Sequence, residues 1–280
     1  MSTDEQSTAQ AASSTTTIAV GQFAPVADPR ENLRTAERLA RTAVARGARV
    51  LVLPEYSSSF TPELGAGTVA AAEDLDGPFV QGLAAIADEL DLVLVAGIVA
   101  TAGDPSRFSN ALVAVAPGRG VVATYRKQHL YDAFGQRESD WVEPGPVGPP
   151  ETFVVDGVAF GMQTCYDVRF PEVTRSLVDA GAQVVLLPAE WVRGPLKEHH
   201  WRTLVTARAI ENTVYVAAAD HAPPVGVGTS LVVDPMGVAL VCIGDEAEAV
   251  AVAEVSTARL DEVRRTNPSL ALRRWRVEPR

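Results

Sequence analysis

The sequence predicts an α/β fold, and three observations lead there. Short runs rich in Val and Leu alternate with amphipathic helical stretches through the front half, and hairpin patterns become denser later. Several runs end on a chemically reactive residue, as strands of an open α/β sheet do where a site forms beyond their carboxyl ends. The chain has 280 residues, of which 47% are hydrophobic, enough for one large α/β domain with a substantial core.

The elements follow in order. Residues 18–24 read as a first strand. Pro29 to Gly47 reads as a helix with Leu33, Ala36, Ala40, Ala43 and Val44 on one face and Gly47 as its stop. Val50 to Leu53 is a buried strand that Pro54 closes before Glu55. A second helix covers 79–90, and a strand runs from Leu92 to Ile98. Ala111–Ala116 and Val121–Arg126 form a hairpin around Pro117-Gly118-Arg119-Gly120, and Lys127 follows it. Residues 128–150 are irregular and rich in Pro and Gly, a length that points to a functional loop.

Val158 to Thr164 is the strand before Cys165. A helix over 171–180 ends at Gly181, a strand covers Gln183 to Leu187, and Pro188-Ala189-Glu190-Trp191 follows. The remaining pattern is a helix over 197–211, strands near 213–218, 229–234, 237–243 and 248–254, and a helix over 257–266. Residues 1–16 are small and polar, lack the regions of a signal peptide, and read as a disordered tail. No internal repeat and no composition break divides residues 17–280, which read as one domain.

The formal net charge of −11 argues against nucleic acid or an anionic membrane as partner. No apolar run approaches the roughly 18 residues of a membrane span. Two cysteines, Cys165 and Cys242, make a disulfide framework improbable and fit a reducing cytoplasm. Cys242 lies in an apolar strand pattern and reads as a small buried hydrophobe. No Cys/His spacing resembles a zinc site, so no metal is expected. Lys127 and Lys197 are the only lysines among 24 basic residues, a hint that a compact ammonium is wanted at 127.

A thiol, a carboxylate and an ammonium at three strand ends are the equipment for acyl transfer. Cys165 stands directly after its apolar run, with Tyr166, Asp167 and Arg169 next, and the N-terminal end of the coming helix would favour its thiolate. Glu55 in a partly apolar cleft is a candidate general base, and Lys127 a candidate oxyanion stabiliser. Glu138, alone in the long loop, has the plain reading of an exposed charge.

Taken together, the strings Leu-Pro-Glu55-Tyr, Tyr-Arg-Lys127-Gln-His-Leu-Tyr-Asp, Arg-Glu138-Ser-Asp and Cys165-Tyr-Asp-Val-Arg-Phe-Pro-Glu resemble the nitrilase superfamily of carbon–nitrogen hydrolases. Ala207 to Asn212, Gly228-Thr229-Ser230 and Val233-Asp234-Pro235 extend the likeness toward the end of the chain. The resemblance implies a four-layer α-β-β-α sandwich, assembled as a homodimer or higher homo-oligomer, with no cofactor. It implies Cys165 as nucleophile, Glu55 as general base and acid, and Lys127 with the Tyr166 N–H as oxyanion donors. Glu138 would position substrate and lysine.

Leu130 to Phe134 and Trp191 to Trp201 resemble the bacterial deaminated glutathione amidase branch, which implies a small, anionic amide substrate. The ω-amidases, acting on 2-oxoglutaramate, share the segments around Glu55, Lys127 and Cys165 but not the second of these. Arg193, Lys197, His199, His200 and Arg202 form the densest basic stretch near the expected site and are candidates to meet substrate charge. Glu190 stands where that branch is expected to carry Ala, and an extra carboxylate there would oppose an anionic substrate. A binding module on the same fold is the non-enzyme alternative, against which the intact Glu55, Lys127, Glu138 and Cys165 set argues.

Overall fold

The computed structural model describes residues 13–280. Two six-stranded sheets stack face to face, with helices on both outer surfaces. The first sheet is built from β1 (Thr15–Gln22), β2 (Val50–Val52), β3 (Val93–Thr101), β4 (Phe108–Ala116), β5 (Gly120–Arg126) and β12 (Ala249–Ser256), in the order β12-β1-β2-β3-β4-β5. The second contains β6 (Thr152–Val155), β7 (Val158–Met162), β8 (Val184–Ala189), β9 (Tyr215–Asp220), β10 (Leu231–Val233) and β11 (Ala239–Cys242), in the order β11-β10-β9-β8-β7-β6.

Each sheet has a parallel centre with antiparallel flanks. β1, β2 and β3 run parallel in one, and β7, β8 and β9 in the other. The topology therefore repeats although the sequence shows no repeat. Glu55 follows the middle parallel strand of the first sheet, and Glu190 follows the middle parallel strand of the second.

Side-chain alternation explains why the strands are apolar without interruption. Val50 and Val52 point into the layer between the sheets, while Leu51 and Leu53 point out to the helices. Val184 and Leu186 face inward and Val185 and Leu187 outward in the same way. A strand buried on both faces has no solvent-facing position to make polar. The outer faces are covered by α1 (Pro29–Ala45) and α3 (Pro78–Leu90) on the first sheet, and by α4 (Pro171–Asp179) and α5 (Lys197–Asn212) on the second. Pro29 fits the first turn of α1 because its missing N–H has no partner there, and Asp28 caps the Arg30 N–H at 2.9 Å. The helix α6 (Thr257–Thr266) follows β12 directly.

The expected α-β-β-α architecture is thus the observed one. Several local expectations are corrected. The polar tail does not extend to residue 16: Thr15 and Thr16 pair with Ser256 and Val255 in β1, because backbone pairing does not require apolar side chains. The disordered tail expected over residues 1–12 lies outside the described residues. The short helix α2 (Ala66–Ala70) and the edge strand β6 were not anticipated, being brief and, in β6, alternately exposed. Cys242 is exposed rather than buried, since β11 is the outermost strand of its sheet. Among the described residues, no helix is long and apolar enough to cross a membrane.

Candidate active site

Four strand ends converge on one cavity of about 720 Å³. Glu55 follows β2, Lys127 follows β5, Cys165 follows β7 and Glu190 follows β8, and all four line it with Glu138 from the long loop. The site is therefore assembled from both sheets.

Lys127 is the centre of a buried charge cluster. Its Nζ donates to Glu55 Oε1 at 2.9 Å and lies 3.0 and 2.9 Å from Glu138 Oε1 and Oε2. Asn110, on β4, donates its amide to both carboxylates, at 2.6 Å to Glu55 Oε1 and 3.1 Å to Glu138 Oε1. The Tyr56 hydroxyl and the Tyr131 backbone N–H complete Glu138, at 2.8 and 2.6 Å. Glu138 is thus buried and fully bonded, not the exposed charge that its loop position suggests in isolation. Burial opposes the Lys127 charge, but Glu138 and Glu55 outweigh it and hold its pKa well above the ordinary lysine value. Burial likewise opposes ionisation of Glu138, and Lys127 with the Tyr131 N–H reverses this, leaving its pKa below the usual range.

Cys165 begins a 3-10 turn over Cys165–Arg169, and α4 starts only at Pro171. The expectation that a helix end favours the thiolate is therefore corrected. Burial pushes the thiol well above its ordinary pKa, Glu55 pushes further, and Lys127 only partly offsets them. The resting thiol is neutral and donates to the Glu190 carbonyl oxygen at 3.4 Å. Cys165 has φ +46°, a left-handed conformation that a non-glycine residue holds only under outside constraint.

That constraint is visible. Asp167, two residues on, accepts from the Thr164 N–H at 3.3 Å, the Tyr125 hydroxyl at 2.8 Å and the His129 N–H at 3.1 Å. One buried carboxylate thus fastens the turn carrying Cys165 to the segment on either side of Lys127. The Glu190 backbone joins the two halves again: its N–H donates to Glu55 Oε2 at 2.6 Å while its carbonyl takes the thiol. Burial, with Glu55 adding to it, holds the Glu190 carboxyl well above the usual carboxylate range.

The other sequence candidates separate. Tyr166 is half-buried and follows Cys165 in the turn. Arg193 lines the cavity and is exposed. Lys197 is buried and reaches the cavity wall only through the Tyr131 hydroxyl, to which it donates at 2.9 Å. His199 is exposed and is not part of the cavity wall, because the first turn of α5 directs it to solvent. His200 and Arg202 also lie off the wall.

Sequence reasoning missed Tyr56, Asn110, Asp167 as a fastener, and His221. Asn110 had a signal, a polar amide inside an otherwise apolar strand. His221 is fully buried, and its Nε2 donates to the Glu55 backbone carbonyl at 2.7 Å. Burial lowers its pKa to about 4, so it is neutral and holds the peptide that carries Glu55. Among the described residues, no group of three His, Cys, Asp or Glu side chains is arranged to hold a metal ion.

A neutral buried thiol beside a carboxylate and a lysine, in a water-accessible cavity, can carry out acyl transfer through a covalent intermediate. Comparison with known proteins agrees. Residues 17–265 match the carbon-nitrogen hydrolase family. The chain is 37% identical over 258 residues to deaminated glutathione amidase of Escherichia coli O157:H7, covering 92% of this chain and 97% of that protein. The C. elegans NitFhit protein superposes with a TM-score of 0.83 at 26% identity, over 93% of this chain and 65% of that one. A mutant amidase from Nesterenkonia sp. AN1 carries the acetamide moiety of fluoroacetamide covalently added at its active site cysteine. It superposes with a TM-score of 0.74 at 28% identity, over 92% of this chain and 97% of that one.

Proposed function

The chain belongs to the carbon-nitrogen hydrolase family as a cysteine-dependent amidase of the nitrilase superfamily, and on that premise we propose that it hydrolyses deaminated glutathione through a thioester on Cys165. The observation that carries the residue roles is the sharing of one cavity by Cys165, Glu55, Lys127 and Glu138, with Lys127 bonded to both carboxylates. The substrate rests on the likeness to the bacterial relative.

The chemistry follows from the resting state. Because the thiol is neutral, attack requires a base. Glu55 takes the Cys165 proton as sulfur bonds to the amide carbon. The carbonyl π electrons move to oxygen, which Lys127 and the Tyr166 N–H stabilise. Glu55 returns its proton to the departing nitrogen as the C–N bond breaks, leaving a 2-oxoglutaryl thioester and cysteinylglycine. Water then gives a proton to Glu55 and bonds to the acyl carbon. The C–S bond breaks, and Cys165 recovers its proton. Glu138 accepts from Lys127 throughout and fixes the ammonium in place. Arg193, at the cavity wall, meets a carboxylate of the leaving half.

The same reading makes the working enzyme a homodimer or higher homo-oligomer in the cytoplasm, with residues 17–280 as one domain. Both cysteines are free, which accords with a reducing compartment.

The test is mass spectrometry and steady-state assay. Wild type should form a 2-oxoglutaryl adduct, and Cys165→Ala should lose several orders of magnitude in kcat with its circular dichroism unchanged. Cys242→Ala should stay close to wild type. Deaminated glutathione should exceed 2-oxoglutaramate in kcat/KM by about tenfold or more, which is roughly 1.4 kcal/mol of remote binding. Equal or reversed preference would assign an ω-amidase, and an active Cys165→Ala would refute the nucleophile.

A further inference from the structure

The buried polar groups around Lys127 are bonded to one another. Lys127 is bonded to Glu55 and Glu138, Asn110 donates to the same two carboxylates, and the Tyr56 hydroxyl donates to Glu138. Tyr131 is different. Its side chain lines the cavity, and its oxygen accepts from the Lys197 ammonium at 2.9 Å. An ammonium has protons to give and no lone pair to accept with. The Tyr131 hydrogen therefore cannot go to Lys197 and is left to donate elsewhere.

Lys197 is itself unusual. The other lysine, Lys127, is buried between two carboxylates. Lys197 is also buried, but what surrounds its Nζ is three aromatic faces, Tyr131 at 4.8 Å, Phe134 at 4.8 Å and Trp191 at 4.9 Å. Burial lowers its pKa, as expected of an ammonium whose surroundings are rings and one hydroxyl. A second cation stands against the same ring: the Arg169 guanidinium lies 4.8 Å from the Trp191 centroid, and its buried Nε has no partner. Two cations gathered on one aromatic cluster repel each other unless an anion joins them.

We infer that the Tyr131 hydroxyl, held by Lys197, is the specificity determinant that receives a carboxylate of the substrate. Lys197 acts as a positioning residue: by donating to the Tyr131 oxygen it fixes which way the Tyr131 O–H points. Lys197 and Arg169, both behind the wall, add positive field to a cavity whose lining includes Glu55, Glu138 and Glu190 alongside Lys127 and Arg193. The inference deepens the amidase reading and rests on it for the nature of the substrate.

The test separates the two. In a Cys165→Ala background, the affinities of glutaramate and of valeramide, its neutral counterpart of equal chain length, are measured by calorimetry. The parent should prefer glutaramate. Tyr131→Phe, which removes only the hydroxyl, and Lys197→Met, which keeps the length and removes the charge, should each reduce that preference at least tenfold. The double variant should reduce it by no more than about twofold beyond the larger single effect, because one residue acts through the other. Equal weakening of both ligands would mark a structural role and overturn the inference, as would an additive double variant or no initial preference. Tyr131→Phe decides the matter alone if Lys197→Met does not fold. Release of cysteinylglycine from deaminated glutathione and of ammonia from 2-oxoglutaramate by the Cys165-intact enzyme tests the amidase reading separately. No release with the binding preference intact would sink that reading and leave this one standing.

Discussion

Glu190 reaches Glu55 through its backbone and not its side chain: the Glu190 N–H donates to Glu55 Oε2 at 2.6 Å. The residue at 190 is therefore free to vary without breaking that bond, whereas its carboxyl stands in the cavity as a separate electrostatic fact. Cys165 is raised chiefly by burial and Glu55, and Glu190 adds to them. Glu190→Ala keeps the N–H and the carbonyl and removes only that addition. The basic limb of the kcat/KM profile, set by the Cys165 thiol, should move to lower pH. A limb at its wild-type position would refute the coupling.

Lys127→Arg should not be tolerated. The ammonium sits within 3.0 Å of oxygens on both carboxylates with its side chain 3% exposed, leaving no room for a planar guanidinium. A loss of at least about tenfold in kcat is expected. Lys127→Met should also destabilise the fold by about 3–5 kcal/mol in urea titration, since it strands two buried carboxylates. Near-normal turnover of Lys127→Arg would remove Lys127 from the oxyanion role.

Gly97, in β3, touches no reacting atom, yet it sets where Glu55 lies. A Cβ there would stand 2.5 Å from the Glu55 Cα and 2.5 Å from the Tyr56 nitrogen, both backbone atoms with no rotamer to yield. Gly97→Ala should cost about 1–3 kcal/mol of stability. It should also lower kcat by about tenfold or more, because the displaced residue is the proposed base. Unchanged kinetics would show that Glu55 tolerates the shift.

His221 predicts an acid-side loss of stability. Its pKa falls from 6.5 to about 4 on folding, so the unfolded chain binds the proton more tightly. Its unfavourable contribution begins as pH drops below 6.5 and is complete below about 4, where it amounts to about 3 kcal/mol. Urea titrations at pH 7 and pH 4 should show a smaller pH-dependent loss for His221→Gln than for wild type. Parallel losses would mean His221 is not the group responsible.

The central strands were legible because burial on both faces forces uninterrupted apolar runs, and the long helices because one face is apolar; the brief α2 and the half-exposed β6 carry neither signal. The reactive trio was legible because each member ends such a run. What the sequence concealed depends on distance between strands that are remote in the chain. Asn110 and Glu55 become partners only when β4 and β2 occupy one sheet, and His221 meets Glu55 across two sheets. Cys242 was misread because an edge position and a central one look alike in a single strand's pattern. The environment of Cys165 was misread for a related reason. A tight turn and a helix begin with similar residues, and the Glu55 carboxylate that adds to burial in keeping the thiol protonated comes from the other sheet.

The division of the site between two sheets gives the layer between them a second meaning. Glu55 and Lys127 ride on one slab and Cys165 on the other, and Val52, Leu186, Ala217 and Ala219 fill the joint. That packing is a gauge block for the proposed reaction: its thickness would set how far a proton travels between sulfur and carboxylate. An added methyl group at Ala217 widens the gap, and a deleted one at Val52 narrows it. Such changes alter melting by modest amounts while acting on a distance to which turnover is far more sensitive. A survey of core variants scored by thermal stability would therefore overstate how many leave the enzyme working.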